Sequence, residues 1–531
     1  MSIEPMSIEG GHLIAGESVS GEGTLFGRNP DSGDWLDPHF AEATSADIDL
    51  AVDAAQRVHQ SRAAGEADDR ARLLEAAAAR IEEIGAAITE RGVKETGLPE
   101  GRFEAERGRT CNQMRLFASV LRDGIFREPI IQTARPDRAP VPRPDLRRRM
   151  RALGPVAVFG ASNFPLAFGI AGGDTASAWA AGCPVVAKGH PAHPGVCELI
   201  GRALQEAVRD SGLPDGMFSL LQGESHSVGQ QLVMHPGIAA VAFTGSRSGG
   251  MSLWKMATER EVPVPVFAEM GSLNPVFVLP DAMAKRCDQI ATAIAASVRL
   301  GVGQFCTCPG LVVTVSDANS DKFRGLLSEA LCSDPAGTML NQGIHGGFAK
   351  MLVKLESRDG VQLVRRGPVT EGVCDAGAAL FSVSGSRFIA DPELQAEVFG
   401  PSTLLVECSN TDEMVEVAGC LEGQLTATVQ ATAHELQQLP GLLDLLEDCA
   451  GRILFNGMPT GVEVGEAMHH GGPWPATTDS RWTSVGSGAI ARFIRPVCWQ
   501  DFPDALLPAE LRSDADGSRR LDGCWQDSGS R

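Results

Sequence analysis

Two cysteines separated by one residue, Cys306 and Cys308, lie in the glycine-rich stretch GVGQFCTCPG at residues 301–310. Structural zinc usually takes four ligands from paired clusters, and this stretch has no second C-x-x-C pair and no nearby histidine, so no metal is expected. A redox pair normally has C-x-x-C spacing, because one intervening residue strains the disulfide ring. A purely structural role, in which both thiols are buried in the core, is an alternative interpretation. Gly301 and Gly303 favour a nucleophilic Cys306, because close backbone approach brings N–H groups to a thiolate.

A cysteine nucleophile needs a base, and the stretch FAEMGSLNP at residues 267–275 offers Glu269. This residue ends a predicted strand, where partial desolvation is expected to raise the pKa of its carboxyl toward the range of a general base. Taken alone, the same carboxylate is more readily interpreted as a structural ion pair or an exposed strand end.

Three further stretches follow predicted strands and present groups suited to a ligand. Asn163 lies in a turn, where its amide can donate to a developing oxyanion or simply cap a helix. Lys188 ends the next strand, where its ammonium can donate to ribose hydroxyls. The stretch FTGSRSGG at 243–250 leads into a helix start whose N–H groups suit a pyrophosphate, although no G-x-G-x-x-G follows the first strand.

The elements that must position these residues form an α/β pattern. Short apolar strands alternate with helices over residues 154–280, which predicts the parallel sheet of a doubly wound fold with ligands at the carboxyl ends of its strands. A second α/β unit follows a helix near 282–300. Further helices are predicted over 46–92 (two), 102–124, 165–181, 195–211, 227–235 and 247–259.

The bulk properties of the chain exclude several classes of protein. Its 531 residues, 43% of them hydrophobic, predict more than one sizeable core. A formal net charge of −21 makes nucleic acid and anionic membranes unlikely partners by simple repulsion. There is no signal-like start and no apolar run of roughly 18 residues, so we expect a cytoplasmic protein that does not contact membranes. The 13 scattered cysteines are expected to be reduced thiols.

Taken together, the motifs resemble those of the aldehyde dehydrogenase superfamily over nearly the whole chain. SNFP with Asn163 resembles its oxyanion motif, AEMGSLNP with Glu269 its glutamate motif, and GQFCTCPG with Cys306 its nucleophile motif. The resemblance implies that Cys306 attacks an aldehyde and that Glu269 activates the water that hydrolyses the thioester. Cys308 takes a position that is not a cysteine in most members, so we expect it to point away from the site. A secondary role as a redox partner of Cys306 stays open.

The cofactor motifs of the superfamily are matched as well. The residues implied to hold the cofactor are Lys188, His190, Gly245, Ser246 and Gly250, with Glu397 and Phe399 of EVFGP at the nicotinamide ribose and ring. Three residues after Lys188 stands Pro191, where many NAD-preferring relatives carry an acid that would repel a 2′-phosphate. NADP is therefore expected to be preferred, with NAD possible. His190 and Arg247 are candidate contacts of that phosphate.

Within the superfamily, the stretches around Arg109, Asn163 and HHGGPWPATTDSRWTSVG are similar to those of the bacterial 2,5-dioxovalerate dehydrogenases, with the NADP-linked fatty aldehyde dehydrogenases as near relatives. The resemblance implies an aldehyde with a carboxylate at its other end. The side chains expected to line the substrate funnel are Arg109, Gln113, Phe164, Phe168 and His469. An ion pair of Arg109 with Glu106 is the alternative for that arginine, and a fatty aldehyde dehydrogenase or a catalytically silent relative is the alternative for the protein.

The resemblance also implies a domain organisation. Residues 1–127 and 154–272 are expected to form a dinucleotide-binding domain and 273–460 a catalytic domain. Residues 128–153 and 489–499 are expected to form an oligomerisation arm that makes a homodimer or homotetramer. Residues 505–531 are expected to be a polar tail that is loose over residues 513–531.

Overall fold

The computed structural model of the protein describes residues 7–23 and 25–526. Residues 1–6 of the first predicted domain and 527–531 of the predicted tail lie outside the described residues. The β-strands are β1 His12–Ile14, β2 Glu17–Val19, β3 Leu25–Arg28, β4 Trp35–Phe40, β5 Ile130–Gln132, β6 Leu146–Ala152, β7 Val156–Phe159, β8 Val185–Lys188, β9 Phe218–Leu221, β10 Ala240–Thr244, β11 Val266–Glu269, β12 Val276–Val278, β13 Leu311–Val315, β14 Gly337–Thr338, β15 Gln362–Arg366, β16 Asp375–Ala376, β17 Ala379–Ser384, β18 Ser402–Cys408, β19 Gln424–Gln430, β20 Ala450–Phe455, β21 Ile494–Gln500, β22 Arg519–Leu521 and β23 Cys524–Gln526.

The α-helices are α1 Ser45–Ser61, α2 Ala67–Glu83, α3 Gly85–Thr96, α4 Glu100–Asp123, α5 Gly173–Ala181, α6 Pro194–Asp210, α7 His226–Met234, α8 Arg247–Thr258, α9 Pro280–Arg299, α10 Ser320–Cys332, α11 Gln342–Glu356, α12 Gly385–Ala390, α13 Thr411–Gly419, α14 Ala433–Gln437 and α15 Pro440–Cys449. Residues 46–92 therefore hold α1, α2 and most of α3 instead of the two helices predicted. The helix predicted to begin at 165 begins at Gly173, because a tight turn precedes it: a Cβ on Gly169 would lie 1.9 Å from the carbonyl oxygen of Pro165.

Two seven-stranded sheets carry the fold. In the first, the order is β11-β10-β7-β8-β9-β1-β2, with β11 to β9 parallel. In the second, the order is β15-β17-β18-β13-β12-β19-β20, with only β15 antiparallel. Fully buried strands such as β7 and β12 have helices on their faces, which is the usual setting of a parallel sheet. The doubly wound α/β arrangement predicted from the sequence is thus observed twice.

Parallel strands bring two of the predicted site residues, Lys188 and Glu269, to the same edge of the first sheet. Lys188 ends β8 and Glu269 ends β11, and β7 and β10 lie between them. The carboxyl ends of these strands face the same way, which is where such sheets bind ligands. Among the described residues, none of the helices is both long and apolar enough to cross a membrane.

A third sheet joins the predicted arm to the C-terminal residues. β6 pairs with β21 over its whole length, and the order continues β21-β6-β5-β22-β23. The prediction of a loose tail is wrong for residues 513–526, because β22 pairs with β5 and β23 pairs with β22. Leu511 is fully buried, and Arg147 of β6 donates to its carbonyl over 2.6 Å and pairs with Asp504 over 2.7 Å. Two arginines of the β6 run, Arg147 and Arg149, pair with Asp504 and Glu510 of this segment, which composition alone does not reveal.

Candidate active site

The loop that carries Cys306 is held from two sides. Its 3₁₀ turn, Leu300–Gly303, ends at a glycine with φ of +69°, where a Cβ would lie 2.2 Å from the carbonyl of Gly400. Only glycine fits such an approach, so the loop packs directly on the EVFGP segment. On the other side, the Asn274 amide donates to the carbonyls of Cys306 and Cys308 over 2.8 and 3.0 Å.

Three side chains from distant parts of the chain converge at the thiol. Cys306 Sγ lies 3.5 Å from His470 Nε2, and that nitrogen lies 2.9 Å from Glu269 Oε1. Both His470 and Glu269 are buried, with 1% and 4% of their side chains exposed. With its proton on Nδ1, the ring can accept the thiol proton at Nε2, and the imidazolium that results lies at ion-pair distance from the Glu269 carboxylate. The arrangement can therefore move a proton away from Cys306.

His470 is the functional candidate that sequence reasoning missed. The loop from 470 to 485 crosses the end of β11, where Glu269 forms a bridge with Thr477 and Ser484 Oγ donates to Glu269 Oε2 over 2.6 Å. This crossing places His470 beside Cys306, 164 residues away in sequence. The predicted funnel residue was the adjacent His469, which packs instead against Gly451 and Gly471. Nothing in the HHGG stretch distinguishes the two histidines without the fold.

The ionisation of the site differs from the sequence expectation. Burial is the largest influence on Glu269 and opposes its charge, but His470, the Ser484 hydroxyl and the Cys306 thiol together hold the pKa of the carboxyl below its ordinary value. The prediction of a raised pKa for Glu269 is therefore wrong in direction. Burial and the charge of Glu269 raise the pKa of Cys306 well above its ordinary value, against the opposing influence of the Arg109 guanidinium. The resting nucleophile is thus a thiol facing a carboxylate.

Cys308 faces away from this cluster. Its Sγ lies 3.9 Å from the carbonyl of Val298 on α9, and the side chain is buried in the apolar cluster beneath the second sheet. Burial raises the pKa of this thiol far above its ordinary value. The geometry gives it no access to the reacting groups around Cys306.

Asn163 lies in the turn after β7 and no α-helix starts there, so it is not a helix cap. Its Nδ2 donates to the carbonyl of Gln304 over 2.9 Å, two residues before Cys306. This hydrogen bond fixes the amide next to the nucleophile loop, and the second Nδ2 hydrogen is left for a ligand.

Aromatic side chains form the wall of the approach to the thiol. Phe164 contacts Phe168 and Phe305 edge to face, with ring centroids 5.4 and 5.0 Å apart. The apolar cluster they belong to also includes Val462 and Val464 of the loop before His470. The approach is therefore largely apolar.

One cation in this approach has no partner. The Nε and Nη2 atoms of Arg109 are buried without a hydrogen bond among the described residues, and its guanidinium lies 5.6 Å from the ring centroid of Phe168. The alternative partner, Glu106, is 3.2 Å from Arg102 and accepts two backbone N–H groups instead. The Nε2 of Gln113 is also buried without a partner, close to Gly173 at the start of α5. A buried guanidinium of this kind suits an anionic ligand group.

A second arginine near the thiol was not predicted. Arg452 on β20 donates to the carbonyls of Gly461 and Pro459 over 3.0 and 2.5 Å, and its Nε is buried with no hydrogen-bond partner in the described part of the chain. Burial lowers the pKa of this guanidinium; the charge of Cys306 opposes that shift and the charge of Arg109 adds to it. No motif in the sequence marks this residue.

The predicted cofactor residues lie around the edge of the first sheet. Lys188 Nζ donates to the carbonyl of Gly223 over 2.6 Å, and burial lowers the pKa of this amine to about 8. Burial also lowers the pKa of His190 well below its ordinary value, so the ring is neutral at pH 7 and offers a hydrogen bond, not a charge. Arg247, the other candidate for the phosphate, pairs with Glu422 over 2.7 Å.

The remaining cofactor candidates form a tight cradle. Ser246 caps α8 by accepting the N–H of Gly249, and Gly245 links that helix to β10. A Cβ on Gly250 would lie 2.7 Å from Met270 Sδ, so the helix packs closely on the strand. Glu397 and Phe399 are both half-buried, and desolvation of its carboxyl raises the pKa of Glu397 to about 7. The free N–H groups of the α8 start and the Lys188 ammonium fit a dinucleotide.

Comparison with known proteins identifies the relatives of this chain. The sequence profile of the aldehyde dehydrogenase family matches residues 24–472. Alpha-ketoglutaric semialdehyde dehydrogenase 2 of Azospirillum brasilense is 50% identical over 509 residues, which cover 96% of this chain and 97% of that protein. An alpha-ketoglutaric semialdehyde dehydrogenase of Acinetobacter baylyi is 44% identical, over 89% of this chain and 90% of its own. The crystal structure of the aldehyde dehydrogenase KauB from Pseudomonas aeruginosa superposes with a TM-score of 0.80 at 22% identity, over 93% of this chain and 97% of that one. The predicted fold class is confirmed.

Proposed function

The chain belongs to the aldehyde dehydrogenase family, and on that premise we propose that it oxidises 2,5-dioxopentanoate, which is alpha-ketoglutaric semialdehyde, to 2-oxoglutarate. The observation that carries this choice of substrate is the buried, unpaired guanidinium of Arg109 close to the Cys306 thiol. The substrate has an aldehyde at one end and a carboxylate at the other, so one molecule meets both groups. The names of the two relatives above support the same compound.

The first half of the reaction uses the groups at the thiol. His470 Nε2 accepts the Cys306 proton, and the thiolate attacks the aldehyde carbon to give a thiohemiacetal. The Asn163 amide and the Cys306 backbone N–H donate to the oxyanion that develops. Bound NADP supplies the acceptor for the hydride that leaves this carbon.

The second half uses Glu269. The product of oxidation is a thioester on Cys306, and its hydrolysis needs a water molecule that has lost a proton. Since its pKa is lowered, the Glu269 carboxylate is ionised at neutral pH and accepts that proton. Cys306 leaves as the thiolate and takes back the proton that His470 accepted in the first half. The product is released as a carboxylate, and the acid product and Glu269 each give one proton to solvent.

The role of the other predicted residues follows from their places. Arg109 binds the substrate carboxylate and Gln113, with an unpartnered Nε2, donates beside it. Phe164 and Phe168 exclude water, and His469 supports the backbone next to His470. For the cofactor, we propose Lys188, His190, Gly245, Ser246 and Gly250 on the adenosine and phosphate side, and Glu397 and Phe399 on the nicotinamide side.

NADP is the cofactor that we propose as preferred. The residue three positions after Lys188 is Pro191, so no carboxylate opposes a 2′-phosphate at that point. The Lys188 ammonium and the His190 ring are the groups that would meet it. We also propose that the enzyme acts in the cytoplasm and that the sheet containing β6 and β21 forms the contact of a homodimer or homotetramer. The free state of all 13 cysteines agrees with a reducing compartment.

A medium- or long-chain aldehyde is the second candidate substrate. The apolar cluster that joins Phe164, Phe168 and Val485 to Val462 and Val464 favours it, because an alkyl chain needs such a wall. The Arg109 guanidinium opposes this candidate, because an alkyl chain offers no anion to pair with it. A silent relative would not need the proton path from Cys306 to Glu269 to be intact.

The test follows the formation of reduced cofactor from NADP and from NAD. The aldehydes are 2,5-dioxopentanoate, succinate semialdehyde and a long-chain aldehyde, and the proteins are wild type and Cys306→Ala. We expect turnover that depends on Cys306 and favours 2,5-dioxopentanoate with NADP. A preference for the long chain would assign the protein to the second candidate, and the absence of turnover with all three aldehydes would contradict a dehydrogenase.

A further inference from the structure

The three side chains at the nucleophile form a set of metal ligands. The donor atoms of Glu269, Cys306 and His470 all lie within 4.8 Å of one another. The argument from sequence against a metal rests on the absence of a nearby histidine, and the fold supplies one from 164 residues away. We propose that these three residues bind Zn²⁺ and that the bound ion reversibly inhibits the enzyme.

The donor types and their spacing suit this ion. Thiolate, imidazole and carboxylate are the usual ligands of zinc, which takes three protein ligands and one open position in sites that are not purely structural. A tetrahedral ion places sulfur and nitrogen ligands about 3.6 Å apart, and nitrogen and oxygen ligands about 3.4 Å apart. The observed separations are 3.5 Å for Cys306 Sγ to His470 Nε2 and 2.9 Å for His470 Nε2 to Glu269 Oε1. Tetrahedral binding needs the last two atoms to separate by about half an ångström, and Cys306 Sγ and the Glu269 oxygen, which lie within 4.8 Å of each other, to stand about 3.6 Å apart.

The hydrogen bonding of the free site leaves room for an ion. Glu269 Oε1 is buried and accepts no hydrogen bond among the described residues, although His470 Nε2 lies 2.9 Å away. A divalent cation would meet this oxygen together with the imidazole nitrogen and the sulfur of Cys306. Two guanidinium groups, those of Arg109 and Arg452, act on Cys306 and oppose a cation, and the half-buried Glu397 carboxyl favours one.

Binding of the metal and inhibition by the metal can be tested separately. Binding exchanges the thiol proton for a sulfur–metal bond, so one proton is released for each ion bound by the Cys306 thiol. Inhibition rests on the function proposed above, since the metal then holds the lone pair that attacks the aldehyde and the carboxylate that activates water. The metal site itself stands on the geometry alone.

Co²⁺ alone is the probe for binding, because a thiolate ligand gives it a near-ultraviolet charge-transfer band. The full-length enzyme, dialysed against a chelator, is titrated with Co²⁺ in the absence of substrate and cofactor. We expect the band to saturate at one ion per chain and to be displaced by Zn²⁺. Cys306→Ser should abolish the band, and His470→Asn should weaken binding by at least about tenfold. The matched controls are Cys308→Ser, two positions after Cys306, and His469→Asn, one position before His470. Both variants should keep the band.

The outcomes distinguish the two statements. No band in the wild type, or a band that survives Cys306→Ser, overturns the metal site whatever the turnover shows. The serine variant decides this even if His470→Asn fails to fold. In turnover assays, Zn²⁺ should reduce the rate at least about tenfold, with recovery after chelator. Saturated Co²⁺ or Zn²⁺ binding with undiminished turnover overturns the inhibition, and an enzyme inactive before any metal is added contradicts the proposed function only.

Discussion

Arg102 Nη2 lies 3.2 Å from Glu106 Oε2, and this pairing leaves Arg109, one turn further along α4, without a carboxylate partner. Glu106 is used elsewhere, because its Oε2 forms an ion pair with Arg102 and its Oε1 accepts the N–H groups of Leu166 and Ala167. One arginine of the helix thus stabilises the turn that carries Asn163, and the other faces the approach to Cys306.

Arg109→Leu tests the anionic substrate. A hydrogen-bonded charge pair contributes about 1.5–3 kcal/mol, so KM for 2,5-dioxopentanoate should rise roughly tenfold to a hundredfold. The KM for a neutral aldehyde such as pentanal is the internal control and should change little. Steady-state kinetics with both aldehydes measures this, and equal effects on the two would contradict the carboxylate-binding role.

Glu269→Gln tests the hydrolytic step. The amide cannot accept a proton from water, so the thioester should accumulate and reduced cofactor should appear as a burst of about one equivalent per chain, followed by slow turnover. Rapid-mixing absorbance and the intact mass of the acylated protein measure this. Wild-type enzyme should show no such burst if hydrolysis is fast, and a variant that turns over at the wild-type rate would remove Glu269 from the mechanism.

The lowered pKa of Glu269 also predicts how the rate of thioester hydrolysis changes with pH. A depressed pKa keeps the carboxylate ionised as the pH falls, so the rate of hydrolysis should be flat from neutral pH to about 6 and should fall only at more acidic pH. The pH dependence of single-turnover thioester hydrolysis measures it. A rate that falls with a midpoint near neutrality would show instead that the pKa is raised.

The proposed contact of Lys188 with NADP predicts that the affinity for this cofactor depends on pH. Burial lowers the pKa of its amine to about 8, so the cation is present below that pH and is lost as the pH rises through it. The Kd of NADP should therefore increase above about pH 8 by more than the Kd of NAD, which lacks the 2′-phosphate. Titrations followed by fluorescence quenching measure both. Lys188→Met should flatten the difference, and parallel curves in the wild type would contradict a phosphate contact.

Leu511→Ala tests the packing of the C-terminal segment. The side chain is fully buried beside the Arg147 and Asp504 pair, so its truncation should lower the free energy of unfolding by about 2–5 kcal/mol. Denaturant titration measures the change. Leu506→Ala, in the same segment but 67% exposed, is the matched control and should have little effect. Equal and small effects of the two substitutions would contradict the packing of this segment.

The sequence by itself determined the alternation of strands and helices and the ends of the strands that carry Lys188 and Glu269. Both depend on local chemistry: apolar runs, glycines at turns, and polar residues directly after a buried strand. The order of the motifs also indicated the family and therefore Cys306 as the nucleophile.

Only the tertiary structure decided which groups meet at that thiol. His470 reaches Cys306 because a loop crosses the end of β11, and Leu511 is buried because β6 has an arginine face that needs carbonyls and carboxylates. The pKa of Glu269 falls instead of rising because three donors converge on it from positions 306, 470 and 484. These effects depend on distances in space. A local pattern along the chain does not show which distant residues come into contact when it folds.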